Sequence, residues 1–401
     1  MIFGYKPEKV RGDFPVLSKG IIYFDNACMT LKPKQVIAKM DEYYNEYTSC
    51  GDRSIHRLAE CVQDEMEGAR EGVRKLLGAR SAKEIIFTRN TTEAINVVSH
   101  GLRLGKGDEV ILSDKEHNSN LIPWLRLKEK GVKVLHVPTF DDGSLDMDAY
   151  NSAFSSKTKL VSMVHQSNAD GVMNPIKEIG KIAHSHGVPI LVDGAQSVPG
   201  IKVDVKDLDC DFLAFSGHKM CGPTGTGALY GKFEKLDRLD QFIVGGHTVK
   251  NSTYDSFIPE DVPMRFEAGL SDYAGLIGFG EACKYITGIG QETIHKHEVK
   301  LNKIITEGLD GVKGIELLGP KDALRRAGIF SFNIKGMDPH QICKMLDASR
   351  AILTRSGAHC VHSYFNKRNM KGTCRASVYL YNTETEAQIF VEEVKKISKM
   401  V

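Results

Sequence analysis

No stretch of the 401 residues comes near the roughly 18 uninterrupted apolar positions of a membrane-crossing helix, so no membrane association is expected. An excess of either charge is also missing: 53 basic residues face 51 acidic ones, for a formal net charge of +2. Neither that balance nor any basic run interleaved with aromatics makes a case for nucleic acid as a partner. No low-complexity tract and no internal repeat of roughly 20–50 residues is present, which sets aside solenoids and propellers. None of the nine cysteines stands in C-x-x-C spacing, so neither a zinc ribbon nor a thioredoxin-type motif is signalled. Their odd count reads as free thiols. Histidines are scattered; His184 and His186 fall on what reads as a solvated helix surface, and no metal is expected. The first residues, MIFGYKPEKVRGDFPVL, carry charges where a secretory signal needs an apolar stretch, so the cytoplasm is the expected compartment.

What is present is an ordinary globular composition, 41% hydrophobic and 26% charged, long enough for one large domain and a smaller one. Short apolar runs alternate with helix-like segments: Glu84–Thr88, Asp108–Ser113, Lys133–Val137, Lys159–Val164, Val188–Asp193 and Asp211–Phe215, with Gly225–Tyr230 as a further strand. Thr91 to about Leu102 and Lys177–His186 read as helices. Strands of about five residues, apolar on both faces and separated by helices, predict an α/β fold with a mostly parallel sheet covered on both sides. From about Gly290 the pattern becomes α+β: helices over Gln291–Leu309, Pro339–Ala348 and Glu384–Met400, with strands at Gly314–Leu318, Ile329–Ile334, Ile352–Thr354 and Thr373–Tyr379. The expected division is an N-terminal segment 1–20, a large domain 21–288 and a small domain 289–401.

In sheets of this kind ligands sit beyond the carboxyl ends of the strands, and the polar residues of this chain gather there. Thr88-Arg-Asn-Thr-Thr-Glu93 leads into a helix, as a phosphate cradle does; taken alone it reads more readily as a plain threonine N-cap. His117 follows another strand and can stack on an aromatic ring, and the Asn168 amide can reach a ring oxygen. Asp193 ends a wholly apolar strand, where a carboxylate needs a cationic partner such as a protonated pyridine nitrogen; Gln196 comes three residues later. Ser216-Gly-His-Lys219 ends the last parallel strand, where desolvation lowers a lysine's pKa and favours Schiff-base chemistry. Ser216 and His218 stand beside it for a phosphate.

Asp193-Gly-Ala-Gln196 followed by Ser216-Gly-His-Lys-Met-Cys-Gly-Pro-Thr-Gly225 resembles the fold-type I pyridoxal-phosphate (PLP) enzymes of the class V aminotransferase group. More narrowly, the chain resembles the group II cysteine desulfurases, the sulfur-mobilisation type related to selenocysteine lyases. The likeness runs from about Ile21–Asn26 to Arg375–Ser377 and the last helix. It implies a large domain with a seven-stranded-type sheet, a small α+β domain, and PLP bound covalently by Lys219. It further implies that Asp193 pairs with the pyridinium nitrogen, Gln196 meets the phenolic oxygen and His117 stacks on the ring. Thr91, Thr92, Ser216 and His218 would hold the phosphate. Asn26, Asn168, Arg355 and Arg375 would bind substrate, Arg375 as the carboxylate clamp. Thr354-Arg-Ser-Gly-Ala-His-Cys360 resembles the loop whose cysteine attacks substrate sulfur, with Arg355 and His359 as candidates for favouring its thiolate.

The expected reaction converts L-cysteine to L-alanine and leaves a persulfide on Cys360, for a sulfur-acceptor protein and for iron–sulfur cluster assembly or related sulfur traffic. Selenocysteine lyase activity on L-selenocysteine, another class V reaction such as transamination or epimerisation, and a catalytically silent sulfur carrier or scaffold are the alternatives. A homodimer is implied. Three departures from the family pattern stand out: Cys28-Met29 after Asp25-Asn-Ala, Val361-His362 after Cys360, and Tyr273 in place of a threonine expected to reach the neighbouring subunit's phosphate.

Overall fold

A computed structural model describes residues 5–51 and 54–401, so the first four residues of the expected 1–20 segment lie outside it. The chain builds a sheet from β2 (Ile85–Thr88), β3 (Glu109–Ser113), β4 (Lys133–Val137), β5 (Thr158–Val164), β6 (Ile190–Asp193), β7 (Phe212–Ser216) and β8 (Gly227–Gly231). Their order is β2-β8-β7-β6-β5-β3-β4. Neighbours from β7 through β4 pair in parallel, and β8 runs antiparallel between β7 and β2.

The sheet's core explains why these strands are apolar throughout. Ile111, Val161, Ile190, Val192, Leu213 and Phe215 point into one layer, with Ile179 and Ala183 of helix Ile176–Ser185 and Val73 of helix Arg57–Leu77. The alternate residues Val110, Leu112, Leu160, Leu191, Phe212 and Ala214 point into the other, against Ile95, Val98 and Trp124. Strand side chains alternate faces, so a strand with two buried faces needs an unbroken apolar run. The edge strand β4 is the exception, with Lys133 and His136 exposed. A buried ion pair ties the layers together: Arg70 donates to both oxygens of Glu267 at 2.6 and 2.8 Å, and Glu267 also accepts the Phe87 N–H at 2.7 Å.

Helices Tyr273–Ile289 and Gln291–Leu309 meet at Gly290, whose φ of +89° makes the turn that a side chain would strain. Beyond it, β11 (Ile315–Leu318), β12 (Ile329–Ile334), β14 (Arg355–Gly357) and β15 (Thr373–Ser377) form an antiparallel sheet in the order β11-β12-β15-β14. Ile305, Leu346, Phe390 and Val394 from helices Gln291–Leu309, Pro339–Arg350 and Glu384–Ser398 cover it. The short strand β1 (Ile22–Tyr23) pairs in parallel with β13 (Ile352–Leu353), and Ile22 and Phe24 join this C-terminal core. Residues 22–24, read from sequence as the start of the large domain, are therefore built into the C-terminal unit.

His186 is exposed and His184 half-buried, on a helix surface as expected, and each also has a partner. His184 Nε2 lies 2.8 Å from Asp211, and His186 stacks on Phe154. Among the described residues no group of three or more His, Cys, Asp or Glu could hold a metal, and no helix is long and apolar enough to cross a membrane.

Candidate active site

The carboxyl ends of β2, β3, β5, β6 and β7 open into a cavity of about 280 Å³, closed on its far side by Arg355, Cys360 and Arg375 of the C-terminal unit. Thr91, Thr92, His117, Asn168, Asp193, Gln196, Ser216, His218 and Lys219 all line it, as the sequence implied.

At one end lies the start of helix Thr91–Gly101. Its N-cap is Asn90, whose side chain accepts the Glu93 N–H at 3.0 Å, so the threonines are not spent on capping. Thr91 and Ser216 hydroxyls sit 2.6 Å apart, and Thr92 Oγ1 is 2.7 Å from Ser119 Oγ. Hydroxyls at a helix start suit an anion. Burial, with Lys219 and Lys32 nearby, holds His218 down to about 4.

At the middle, His117 Nδ1 accepts the Ser119 N–H at 3.0 Å. Burial and the Lys219 charge bring its pKa down to about 3, leaving a flat neutral imidazole on the cavity wall. Asp193 ends β6 fully buried; the Ala195 N–H is its hydrogen-bond donor at 3.0 Å. Burial raises its pKa, opposed by that bond and by Lys219. Burial likewise lowers the Lys219 pKa, opposed by Asp193. Gln196 Nε2 donates to the Ala27 carbonyl at 2.7 Å.

At the other end, Arg375 on β15 is buried, donates to the Asn168 carbonyl at 2.9 Å and lies 3.4 Å from Asp25. Its Nε is buried without a partner, a donor free for an anionic ligand. Cys360 is half-buried. It and His359 adopt left-handed backbone, φ +59° and +48°, conformations that side-chain-bearing residues hold at a cost and that gather at functional sites. The loop is pinned from both sides: Asn118 N–H donates to the Cys360 carbonyl at 2.7 Å, and Asn168 Nδ2 to the His359 carbonyl at 2.7 Å.

Two expectations, for Asn26 and His359, are corrected by the geometry. Asn26 does not line the cavity; its amide donates to the Ser377 carbonyl at 2.7 Å and its oxygen accepts from the Tyr381 hydroxyl, joining β1 to β15. The Tyr273 hydroxyl accepts the Gly51 N–H at 3.2 Å and stands outside this chain's own cavity, as a group meant for a neighbouring subunit would. One Asn168 amide N–H supports the Cys360 loop while the residue still lines the cavity. His359 cannot supply a positive charge to Cys360: burial beside Arg375 and Arg355 brings it to about 2, and its Nε2 is 2.8 Å from the Thr373 hydroxyl.

The sequence reading missed three groups. Cys28 lines the cavity with its Sγ 2.5 Å from Arg355 Nη1, at a position notable in sequence only as a departure from the family pattern. Ser119 links Thr92 to His117. Glu298 lies in a separate pocket of about 30 Å³ that also touches Lys219 and Gln196, and burial alone pushes its pKa up to about 8.

These features fit PLP. The chain offers a buried carboxylate for a pyridinium nitrogen, a neutral ring to lie against the cofactor, a desolvated lysine amine, and hydroxyls at a helix start for a phosphate.

Comparison with known proteins agrees. Residues 22–390 match the class-V aminotransferase family. The probable cysteine desulfurase of Halalkalibacterium halodurans is 42% identical over 399 residues, 97% of each chain. That of Methanothermobacter thermautotrophicus is 41% identical over the whole of both chains. Among solved structures, the apo cysteine desulfurase of Thermococcus onnurineus superposes with a TM-score of 0.95 at 38% identity, covering 100% of both. The cysteine desulfurase CsdA of Escherichia coli, in an S-sulfonic acid form, gives 0.92 at 31% identity, also covering 100% of both. The chain belongs to the class-V aminotransferase family, and its relatives there carry the name cysteine desulfurase.

Proposed function

We propose that this chain is a PLP-dependent cysteine desulfurase that converts L-cysteine to L-alanine and keeps the sulfur as a persulfide on Cys360. The observation that carries the reading is one cavity in which Lys219 and Asp193 stand on one wall and Cys360 and Arg375 on the other. PLP supplies the electron sink that acidifies the α-proton of a bound amino acid and loosens its sulfur.

The chain's own residues do the rest. Arg375 takes the substrate carboxylate, for which its partnerless Nε is available. Lys219 would hold the cofactor through Nζ, leaving it free to take up the substrate amine. It then carries the α-proton, a task for which a lysine with a lowered pKa is suited. Asp193 keeps the pyridine nitrogen protonated. His117 stacks on the ring; Thr91, Thr92, Ser216 and His218 hold the phosphate, and Gln196 the phenolic oxygen. Arg355 assists the carboxylate end, where Cys28 orients it. Thiolate Cys360 attacks the substrate sulfur. The new S–S bond forms as the carbon–sulfur bond breaks and its electron pair goes to the β-carbon; a proton there and return of the α-proton by Lys219 complete alanine.

On this reading the large domain, about 25–288, holds the cofactor, and the unit 289–401 brings the Cys360 loop to it. A sulfur-acceptor protein takes the persulfide sulfur from that half-buried loop. A cytoplasmic address and a homodimer complete the proposal.

The test is Cys360→Ala, purified with its cofactor and given L-cysteine. The visible PLP absorbance is expected to persist while alanine formation and the persulfide are lost. Sulfide release at the unaltered rate would reject Cys360 as nucleophile. Lys219→Ala is expected to lose both turnover and the borohydride-reducible link between protein and cofactor.

A further inference from the structure

Two cysteines that the proposed reaction does not use lie together on the back of the strand that carries Arg375. Cys374 precedes Arg375 on β15, and strand neighbours point to opposite faces, so Arg375 enters the cavity while Cys374 enters the C-terminal core. There it meets Cys343 on helix Pro339–Arg350, with the two sulfurs 3.2 Å apart. Cys374 Sγ is also 3.7 Å from the Thr354 hydroxyl. Cys374 is fully buried, whereas Cys343 is only half-buried and gives the pair an outlet to solvent.

We propose that Cys343 and Cys374 form a dithiol modification site that reacts with low-molecular-weight disulfides and closes to an internal disulfide. The sulfurs already touch, so closure needs a small rotation of side chains and no approach of helix to strand. The two thiols have unequal roles. Cys343 is half-buried and within reach of a small disulfide, whereas Cys374 is sealed in the core, where burial holds its thiol well above the ordinary range. Cys343 is thus the attacking thiol and Cys374 the resolving one.

The Cys343 thiolate attacks one sulfur of the small disulfide, forming a mixed disulfide and expelling one thiolate. Cys374 then attacks the Cys343 sulfur of that adduct. Its proton passes to the second small thiolate as this leaves, and the Cys343–Cys374 bond forms. The protein pair loses two hydrogens and is oxidised; the small disulfide is reduced to two thiols. Cys210, Cys221 and Cys283 are fully buried and their thiols are pushed up by that burial, so they do not compete.

The experiment incubates the PLP-loaded enzyme with oxidised glutathione near neutral pH, alkylates remaining thiols, and maps peptides by mass spectrometry. The expected product is a peptide pair joined through Cys343 and Cys374, lighter by two hydrogens and separated again by dithiothreitol. In Cys343→Ser, Cys374 is expected to stay a thiol that reacts only after unfolding. A lasting glutathione adduct on Cys343 beside an alkylated Cys374 would overturn closure. Alkylation of both, while Cys50 or Cys61 carries glutathione, would overturn the site itself.

Discussion

At the scale of single residues, the cavity is governed by what burial does to charge. Glu298 gives a clean case, because burial is the sole cause of its rise to about 8 from an ordinary 4.5. Between those values the folded chain holds a proton that the unfolded chain has released. Its contribution to stability is therefore whole below about 4.5 and is lost as the pH climbs through 8. Urea melts of the wild type and Glu298→Gln across that window are expected to show a shallower decline in the variant; identical slopes would mean that Glu298 ionises normally. Lys219, Asp193 and His117 were legible from sequence because each follows an apolar strand, and strand ends are where such sheets place ligands. Cys28 and Ser119 were not, since their roles come from Arg355 and Thr92, far away in sequence. Asn26 was placed in the cavity for the complementary reason: a polar residue beside a motif can be consumed by backbone partners that no local pattern reveals.

At the scale of elements, periodicity did most of the work, and boundaries were where it stopped. Helix Glu384–Ser398 begins with a reciprocal cap: Thr383 accepts the Glu386 N–H at 3.2 Å and Glu386 accepts the Thr383 N–H at 2.9 Å. Thr383→Ala is expected to cost about 1 kcal/mol in chemical denaturation with the cavity chemistry unchanged. The Arg70–Glu267 pair joins helix Arg57–Leu77 to β2 through the Phe87 N–H. Glu267→Ala strands a buried guanidinium and is expected to cost about 3–5 kcal/mol by the same measurement. The sequence shows both charges but not their meeting, which spans almost two hundred residues of chain.

At the scale of the whole molecule, apolar side chains gather on one exposed segment. Ile243, Val244 and Leu270 flank a hairpin of β9 (Val249–Ser252) and β10 (Phe257–Pro259), and Phe257 and Ile258 are more than half exposed. A second copy of the chain is the occupant that the proposed homodimer supplies. Light scattering is expected to give the mass of two chains, and Ile258→Asp to shift it toward one; a single-chain mass for the wild type would remove the dimer. The order of the two units along the chain was readable from the change of pattern near Gly290, but the return of β1 to the C-terminal unit was not. A two-residue strand carries too little periodicity to declare its partner.

That return has a bearing on how the protein is made. Ile22 and Tyr23 leave the ribosome long before their partners Ile352 and Leu353. The first strand must wait, its apolar side chains unsheltered, until nearly everything between has been translated. Closing so long a loop is a late and slow event. A nascent chain halted before residue 352 therefore lacks both the partner of its first strand and the wall bearing Cys360 and Arg375.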